Sequence, residues 1–168
     1  LLIEGDPDLK YLQEISERYG SKEFLILTYT PNEGMISDTS INNLLSLKYK
    51  IQSLNWVHSV ITLLDIPLLN SSDATLQERL ENFKTLKDED VDRSRGFNEI
   101  KSSPVFRNFV ISEDGKTSGI IVNIKKNKEL ENLKDKSKQE IENYKDLIKE
   151  KNHQNILEIR DVIKSYED

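Results

Sequence analysis

The sequence contains no cysteine, only two histidines and no long apolar run. The absence of cysteine excludes disulfide bonds, thiolate metal sites and cysteine nucleophiles. Two imidazoles, those of His58 and His153, cannot build a multi-histidine metal centre. No apolar stretch reaches the about 18 residues that a membrane-spanning helix requires. Leu1-Leu2-Ile3 is too short for the apolar part of a signal peptide.

Clustered positive charge is also missing, and the formal net charge is −6. Nucleic-acid binding requires grouped lysine and arginine side chains that displace counterions from phosphates, so we expect no nucleic-acid partner. The six glycines are scattered singly, which excludes a glycine-rich phosphate loop. Hydrophobic residues make up 36% and charged residues 32% of the chain, a balance that predicts long solvated helices around a small core.

The first half of the chain has the pattern of a βαβ unit. The stretch EFLILTYT is apolar without a polar break, as in a strand buried on both faces. Ser37 or Asp38 is a suitable N-cap for the amphipathic segment that follows. Strand, helix and strand in this order predict two parallel strands in one sheet. The expected elements are a helix over 7–19, a strand over 23–30, a helix over 39–54 and a strand over 56–64.

The second half predicts one hairpin between helical segments. Asp114-Gly115 supplies tight-turn residues between two apolar stretches, so we expect two antiparallel strands within 107–125. Almost everything after residue 126 has helical composition, and the polar stretch 152–155 is expected to break it in two. The expected helices lie near 73–84 and 90–102, over 127–151 and over 156–166.

An acidic stretch invites comparison with the calcium-binding loop of an EF-hand. The residues at the ligand positions would be Asp88, Asp90, Asp92, Ser94 and Glu99. Arg93 occupies the place where that loop requires glycine for its sharp turn, so the motif lacks its diagnostic residue. The alternative is that these acids lie at a helix N-terminus, where the helix dipole favours negative charge. We expect no metal site.

No other residues form a recognisable catalytic set. Asp6 and Asp8 flank a proline, and helix capping accounts for both carboxylates. His58 and Ser59 are adjacent on a predicted strand, so their side chains point to opposite faces, and His58 is expected to be half-buried. Trp56 is expected to anchor the core. We therefore assign no catalytic, cofactor-binding or metal-binding residue and expect no enzymatic activity, while the substrate-binding residues are not identified.

Several stretches in a fixed order resemble one family. They are EGDPDLKYLQEISERYGSKEFLILTYTP, SLNWVHSVITLLDIPLL, FKTLKDEDVD, SSPVFRNFVISEDGKTSGIIVN and ILEIRDVIKSY. In this order and spacing they are similar to the first large extracytoplasmic loop of resistance-nodulation-division (RND) transporters. The nearest branch is the bacterial MMPL-like or hydrophobe/amphiphile exporters, which are related to the Patched-type sterol transporters. Residues 127–152 match only as charged helix.

The resemblance implies a periplasmic loop between the first two membrane spans of an inner-membrane transporter. In the family this loop folds into ferredoxin-like porter subdomains and forms, with the second periplasmic loop, a path for apolar substrates. Proton-coupling residues would lie in membrane spans and not in these residues. The first residue is not Met and Asp168 follows a helical pattern directly, so we expect a piece of a longer protein.

We therefore expect an α+β fold of the ferredoxin-like βαβ porter type, organised as a single domain over 1–168. Residues 20–64 and 105–126 would form the sheet core. Residues 65–104 would be a helical insertion, and residues 127–168 a helical arm with the crossover helix. The hairpin is expected at an edge of the sheet, and the sheet is expected to be incomplete or to have its edge covered.

The expected function is that of a periplasmic domain in a proton-driven RND-type transporter of hydrophobic or amphiphilic substrates such as lipids or drugs. Its partners would be such a small molecule, the rest of the transporter, and further copies if the full-length protein is a homo-oligomer. Faces of 41–54, 76–83 and 130–148 are expected to line the path and to be partly exposed. The alternative is a soluble periplasmic adaptor or protein-interaction module without a transport role.

Overall fold

A computed structural model describes residues 24–70, 75, 83–107, 110–126 and 138–166 of the chain. The predicted helix over 7–19 and the helical segment over 127–137 lie outside these residues. The described elements, in chain order, are strand β1 (Phe24–Tyr29), helix α1 (Asp38–Gln52), strand β2 (Val57–Ile61), a 3-10 helix (Leu63–Asp65), helix α2 (Arg93–Ser102), strand β3 (Ser118–Ile124) and helix α3 (Lys138–Lys164).

The three strands form one antiparallel sheet in the order β1-β3-β2. Both outer strands are antiparallel to β3, with Leu25 opposite Val122 on one side and Ile61 opposite Ile121 on the other. β1 and β2 therefore run in the same direction, and α1 connects them. The fold is α+β, as predicted, with strands at 24–29 and 57–61 inside the predicted ranges.

The predicted hairpin is only partly correct, because its second arm is a strand and its first arm is not. The turn is present: Gly115 has φ 73°, and the Ser112 amide donates to the Thr117 carbonyl over 2.8 Å. Before the turn, however, the Val110 amide donates to the Phe106 carbonyl, so the backbone forms a helical turn there and not an extended strand.

The predicted position of the hairpin at a sheet edge is wrong, since β3 is the central strand. Both edges of β3 are already paired with β1 and β2, which leaves no edge for a long first arm. Ile120, Ile121 and Val122 are all buried, and a strand with apolar side chains on both faces suits the centre of a sheet.

Helix α1 packs its apolar face against the sheet. It begins where the Ser37 hydroxyl accepts a hydrogen bond from the Ser40 amide, an N-cap that the sequence predicted. Its buried side chains recur every three or four residues: Ser40, Ile41, Leu44, Leu47 and Ile51. The expectation that this face lines a substrate path is therefore wrong, because the sheet of the same domain already covers it.

The second strand is shorter than its predicted range of 56–64. It ends at Ile61, and the Thr62 hydroxyl then accepts a hydrogen bond from the Leu64 amide to begin the 3-10 helix. The Asp65 carboxylate returns to accept from the Thr62 amide over 2.8 Å, which completes a capping box. This reciprocal cap turns the chain away from the sheet before Pro67.

Asp65 also joins α1 to the 3-10 helix and to the segment before α2. Its carboxylate forms ion pairs with Lys48 of α1 and, over 3.3 Å, with Lys87. Burial raises the pKa of the Asp65 carboxyl, but the hydrogen bonds from Lys48 and the Thr62 backbone outweigh it and leave the pKa below its ordinary value.

Helix α2 confirms the helix expected near 90–102. Asp92 caps it by accepting from the Arg95 amide over 3.0 Å. Gly96 lies where a Cβ would be 2.8 Å from Leu68 Cδ1. Glycine at this position therefore permits α2 to pack closely on the loop that contains Leu68. Most of the helix expected near 73–84 lies outside the described residues, but Lys84 at its predicted end bridges to Leu68 in an antiparallel β-bridge.

Helix α3 is continuous over Lys138–Lys164, so the predicted break at 152–155 is wrong. Asn, His and Gln each lower helix stability by only some tenths of a kcal/mol relative to alanine, and that cost does not end a helix. Ile159 is buried in the core, and the Tyr166 hydroxyl lies 2.6 Å from that of Ser46 on α1. The carboxyl-terminal part of α3 thus packs beside α1.

Candidate functional site

The acidic stretch does not converge on one point. The Asp88 carboxylate accepts hydrogen bonds from the amide and hydroxyl of Thr85. Asp90 forms an ion pair of 2.9 Å with Lys84. Each of these acids therefore has a separate local partner within 84–92.

The remaining residues of that stretch lie at different places on α2. Asp92 is the N-cap, and Ser94 is exposed in the first turn. Glu99 accepts from the backbone amides of Leu69 (2.6 Å) and Asn70 (3.0 Å), which fastens the preceding loop to the helix. Within the described ranges, no three His, Cys, Asp or Glu side chains are grouped so that they could hold a metal ion.

The histidines do not form a catalytic pair with a nucleophile. His58 is exposed, where a half-buried position was expected, because β2 has a register irregularity between Val57 and Ser59. The Ser59 hydroxyl accepts a hydrogen bond of 2.9 Å from the Asn123 side-chain amide on the central strand. His153 is exposed on α3, and Asp6 and Asp8 lie outside the described residues.

Trp56 anchors the core, as the sequence predicted. Its side chain is buried just before β2, and the indole N–H donates to the Glu158 Oε2 over 2.8 Å. This bond joins residues 102 positions apart and fixes α3 against the end of the sheet.

Clefts on the surface of the described part of the chain include the following two. The larger, about 560 Å³, lies between α2 and the loop before it, and Pro67, Asn98 and Phe106 are among its lining residues. Glu99 and Arg95 also line it, but both hold the loop: Arg95 Nη2 donates to the Asn70 carbonyl over 2.7 Å. Its polar groups thus stabilise the fold.

The second cleft, about 380 Å³, lies where β3 ends beside α3, and we call it the β3–α3 cleft. Apolar side chains of Trp56, Ile124 and Ile148 line it. Three lysines also line it, two directly after β3 and one on α3: Lys125, Lys126 and Lys151.

Charge in the β3–α3 cleft is predominantly positive, although the chain as a whole is acidic. Among the described residues that line it, the one acid is Glu158, which accepts the indole hydrogen bond of Trp56. The ammonium group of Lys125 donates to the Asn55 carbonyl over 2.7 Å, which holds it at the end of the sheet.

Sequence reasoning missed this cleft. Lys125-Lys126 directly after an apolar strand was a visible signal, since paired charges mark where a strand leaves the core. Lys151 had no such signal, because its place depends on how α3 sits against the sheet. That position is set by Trp56 and Glu158, a contact that no local pattern reveals.

Comparison of the chain with protein-family models, with curated proteins and with solved structures finds no match. Among the helices of the described residues, none combines the length and the hydropathy needed to cross a bilayer.

Proposed function

We propose that the chain is a periplasmic porter-type domain of a proton-driven RND transporter of hydrophobic or amphiphilic substrates, located in an extracytoplasmic loop. The domain would have no catalysis of its own. It would work with the remainder of the transporter, including the second periplasmic loop, and proton coupling would reside in the membrane spans.

The observation that carries this proposal is the strand order β1-β3-β2 together with its connections. β1 and β2 run in the same direction on either side of β3, α1 connects them, and α3 follows β3 and packs beside α1. A split βαβ unit followed by a strand and a second helix is the arrangement of a ferredoxin-like domain. A fourth strand beside β1 would complete it.

The open side of β1 also supports the proposal. Within the described residues β1 pairs only with β3, so the backbone groups along its other edge have no strand partner. Ile26 on this strand is 36% exposed. A flat, apolar edge strand is an aggregation hazard that proteins normally cover. Pairing or contact with another part of a transporter would provide that cover.

Side chains available for a substrate path are fewer than the sequence predicted. The buried face of α1 is excluded, as described above. Of the two other predicted faces, Phe83 is 52% exposed, and Ile148 is half-buried and lines the β3–α3 cleft. The proposed path would use these or surfaces contributed by other parts of the transporter.

Cysteine labelling of the full-length protein tests the proposal, and a chain without native cysteine suits it. Tyr49→Cys on α1 would place a thiol at an exposed position, since Tyr49 is 64% exposed. Any cysteines elsewhere in the protein would be replaced by serine. In spheroplasts, a membrane-impermeant maleimide should label Tyr49→Cys without lysis, and the labelled protein should remain in the membrane fraction.

Ser40→Cys is the matched control, because Ser40 lies on the same helix but is 1% exposed. It should react only after denaturation. Labelling of Tyr49→Cys only after lysis would place the chain on the cytoplasmic side and refute the proposal. Labelling from outside with the protein in the soluble fraction would favour the periplasmic adaptor instead.

A further inference from the structure

We propose that the β3–α3 cleft binds a small anionic amphiphile, with its anionic head at the lysines and its apolar chain along Trp56, Ile124 and Ile148. The biological role of this site rests on the proposed function. To the substrate class proposed there, the cleft adds the sign of the ligand's charge. Binding itself depends only on the residues of the cleft.

The charge argument starts from the contrast between the cleft and the chain. Formal net charge is −6 overall, yet three of the four charged side chains that line the cleft among the described residues are cationic. Among the ion pairs of the described residues, none involves Lys125, Lys126 or Lys151. Like charges that line one cleft repel one another, and an anion relieves that repulsion.

The lysines come from two elements that the fold holds together. Lys125 is fixed by the Asn55 carbonyl at the end of the sheet, and Lys151 is carried by α3. The Trp56–Glu158 hydrogen bond fastens α3 at that place and also occupies an oxygen of the one carboxylate in the cleft. Among the ion pairs of the described residues, none joins Glu158 to these lysines.

The apolar residues distinguish this cleft from a simple anion site. Trp56, Ile124 and Ile148 give an indole ring and two branched side chains to the cleft that the three lysines also line. A volume of about 380 Å³ is at the lower end of the range for small-molecule sites. Lysine heads beside apolar surface fit a carboxylate, sulfate or phosphate head on an apolar chain, since both parts gain contacts.

Fluorescence of the chain's single tryptophan provides the test, because Trp56 lines the cleft. The full chain would be titrated with decanoate below its micelle concentration and, in parallel, with decanol, decyltrimethylammonium and acetate. Decanoate should shift the emission saturably and bind about tenfold or more tightly than each of the other three. Equal binding by decyltrimethylammonium or decanol would overturn the role of charge, and equal binding by acetate would overturn the apolar part.

Charge-matched triple variants locate the site. Lys125→Gln with Lys126→Gln and Lys151→Gln should raise the decanoate Kd about tenfold, as expected from three exposed charge contacts of two- to threefold each. The control triple removes the same charge from exposed lysines that do not line the cleft: Lys116→Gln, Lys149→Gln and Lys164→Gln. Its Kd should stay within about twofold. Equal effects of the two triples would overturn the site, and circular dichroism would verify that both variants fold.

Failure of this proposal is distinguishable from failure of the proposed function. Decanoate binding by the cleft together with labelling of Tyr49→Cys only after lysis would retain the site and refute the transporter domain. External labelling together with no decanoate binding would refute the site alone.

Discussion

Helices α1 and α3 pack beside each other but are held in place very differently. α1 spans 15 residues, of which five are buried at a helical spacing against the sheet. α3 spans 27 residues, and Ile159 is the one fully buried side chain among those described on it. Length therefore does not measure how firmly a helix is held. Burial of an apolar face stabilises α1, whereas α3 depends on a few contacts near its carboxyl end.

Surface ion pairs add little stability to α3. Lys149 and Lys164 lie 3.9 Å from Asp146 and Asp161 respectively, each three residues away and well exposed. Such pairs contribute about 0.2–0.5 kcal/mol each in helices. The amino-terminal half of α3 should accordingly open more readily than α1, in the way that weakly packed segments of a protein do.

The largest effect is expected when the packing of α1 on the sheet is weakened. Leu44→Ala removes a side chain that is 1% exposed and leaves a cavity under the helix. The free energy of unfolding should fall by about 3 kcal/mol, measured by urea denaturation at neutral pH. A loss below about 1 kcal/mol would mean that the α1 face is less tightly packed than its burial indicates.

The next largest effect is expected when the main apolar anchor of α3 is removed. Ile159→Ala should lower the free energy of unfolding by about 2 kcal/mol, because Ile159 is 3% exposed. Hydrogen exchange should accelerate along α3 while β3 keeps its protection. Ile156→Ala is the control on the same helix, and it should cost far less since Ile156 is 37% exposed. Equal costs would contradict the single-anchor description of α3.

A smaller, pH-dependent effect tests how α1 is joined to the 3-10 helix. Asp65→Asn removes the ion pairs to Lys48 and Lys87 and should cost about 1.5 kcal/mol at neutral pH. The folded-state pKa of Asp65 is lowered, so its carboxylate stabilises the fold above the ordinary pKa. That contribution is lost as pH falls through the lower folded-state value.

Urea denaturation at neutral pH and at about pH 2 checks the direction of this pH dependence. The difference in unfolding free energy between the native chain and Asp65→Asn should shrink in acid. A difference that stays constant would show that the capping geometry matters and the charge does not.

The smallest effect concerns the amino-terminal half of α3. Leu147→Ala should change the free energy of unfolding by less than about 0.5 kcal/mol, because Leu147 is 63% exposed and alanine is a good helix former. Thermal and urea unfolding of the chain would measure it. A loss above about 1 kcal/mol would reveal packing against this side chain and would reduce the contrast with α1.

Sequence patterns predicted α1, β1 and α2 well because local chemistry decides them. Ser37 caps α1, its apolar spacing defines the buried face, and Asp92 caps α2. The place of β3 could not be predicted in this way. Its turn residues indicated a hairpin, but its neighbours in the sheet are distant strands that compete with the first arm for the same backbone groups.

The candidate site shows the same limit more sharply. Asp88 and Asp92 could be assessed from their neighbours, because the caps found there are local. Glu99 could not, because its partners Leu69 and Asn70 are distant in sequence. The β3–α3 cleft instead combines side chains from three parts of the chain: Trp56 before β2, the lysine pair after β3, and Lys151 on α3. Spacing along the sequence carries no information about such an arrangement until the helix has a position.

The central place of β3 also sets the order in which the sheet can form. Phe24 pairs with Asn123, so the partner that β1 has among the described residues is made only after about 100 further residues. At synthesis rates of about 5–20 residues per second, the apolar stretch FLILTY stays unpaired for roughly 5–20 seconds. Contacts this far apart in sequence fold slowly. During that interval β1 is an unpaired apolar strand, the kind of segment that pairs readily with another molecule.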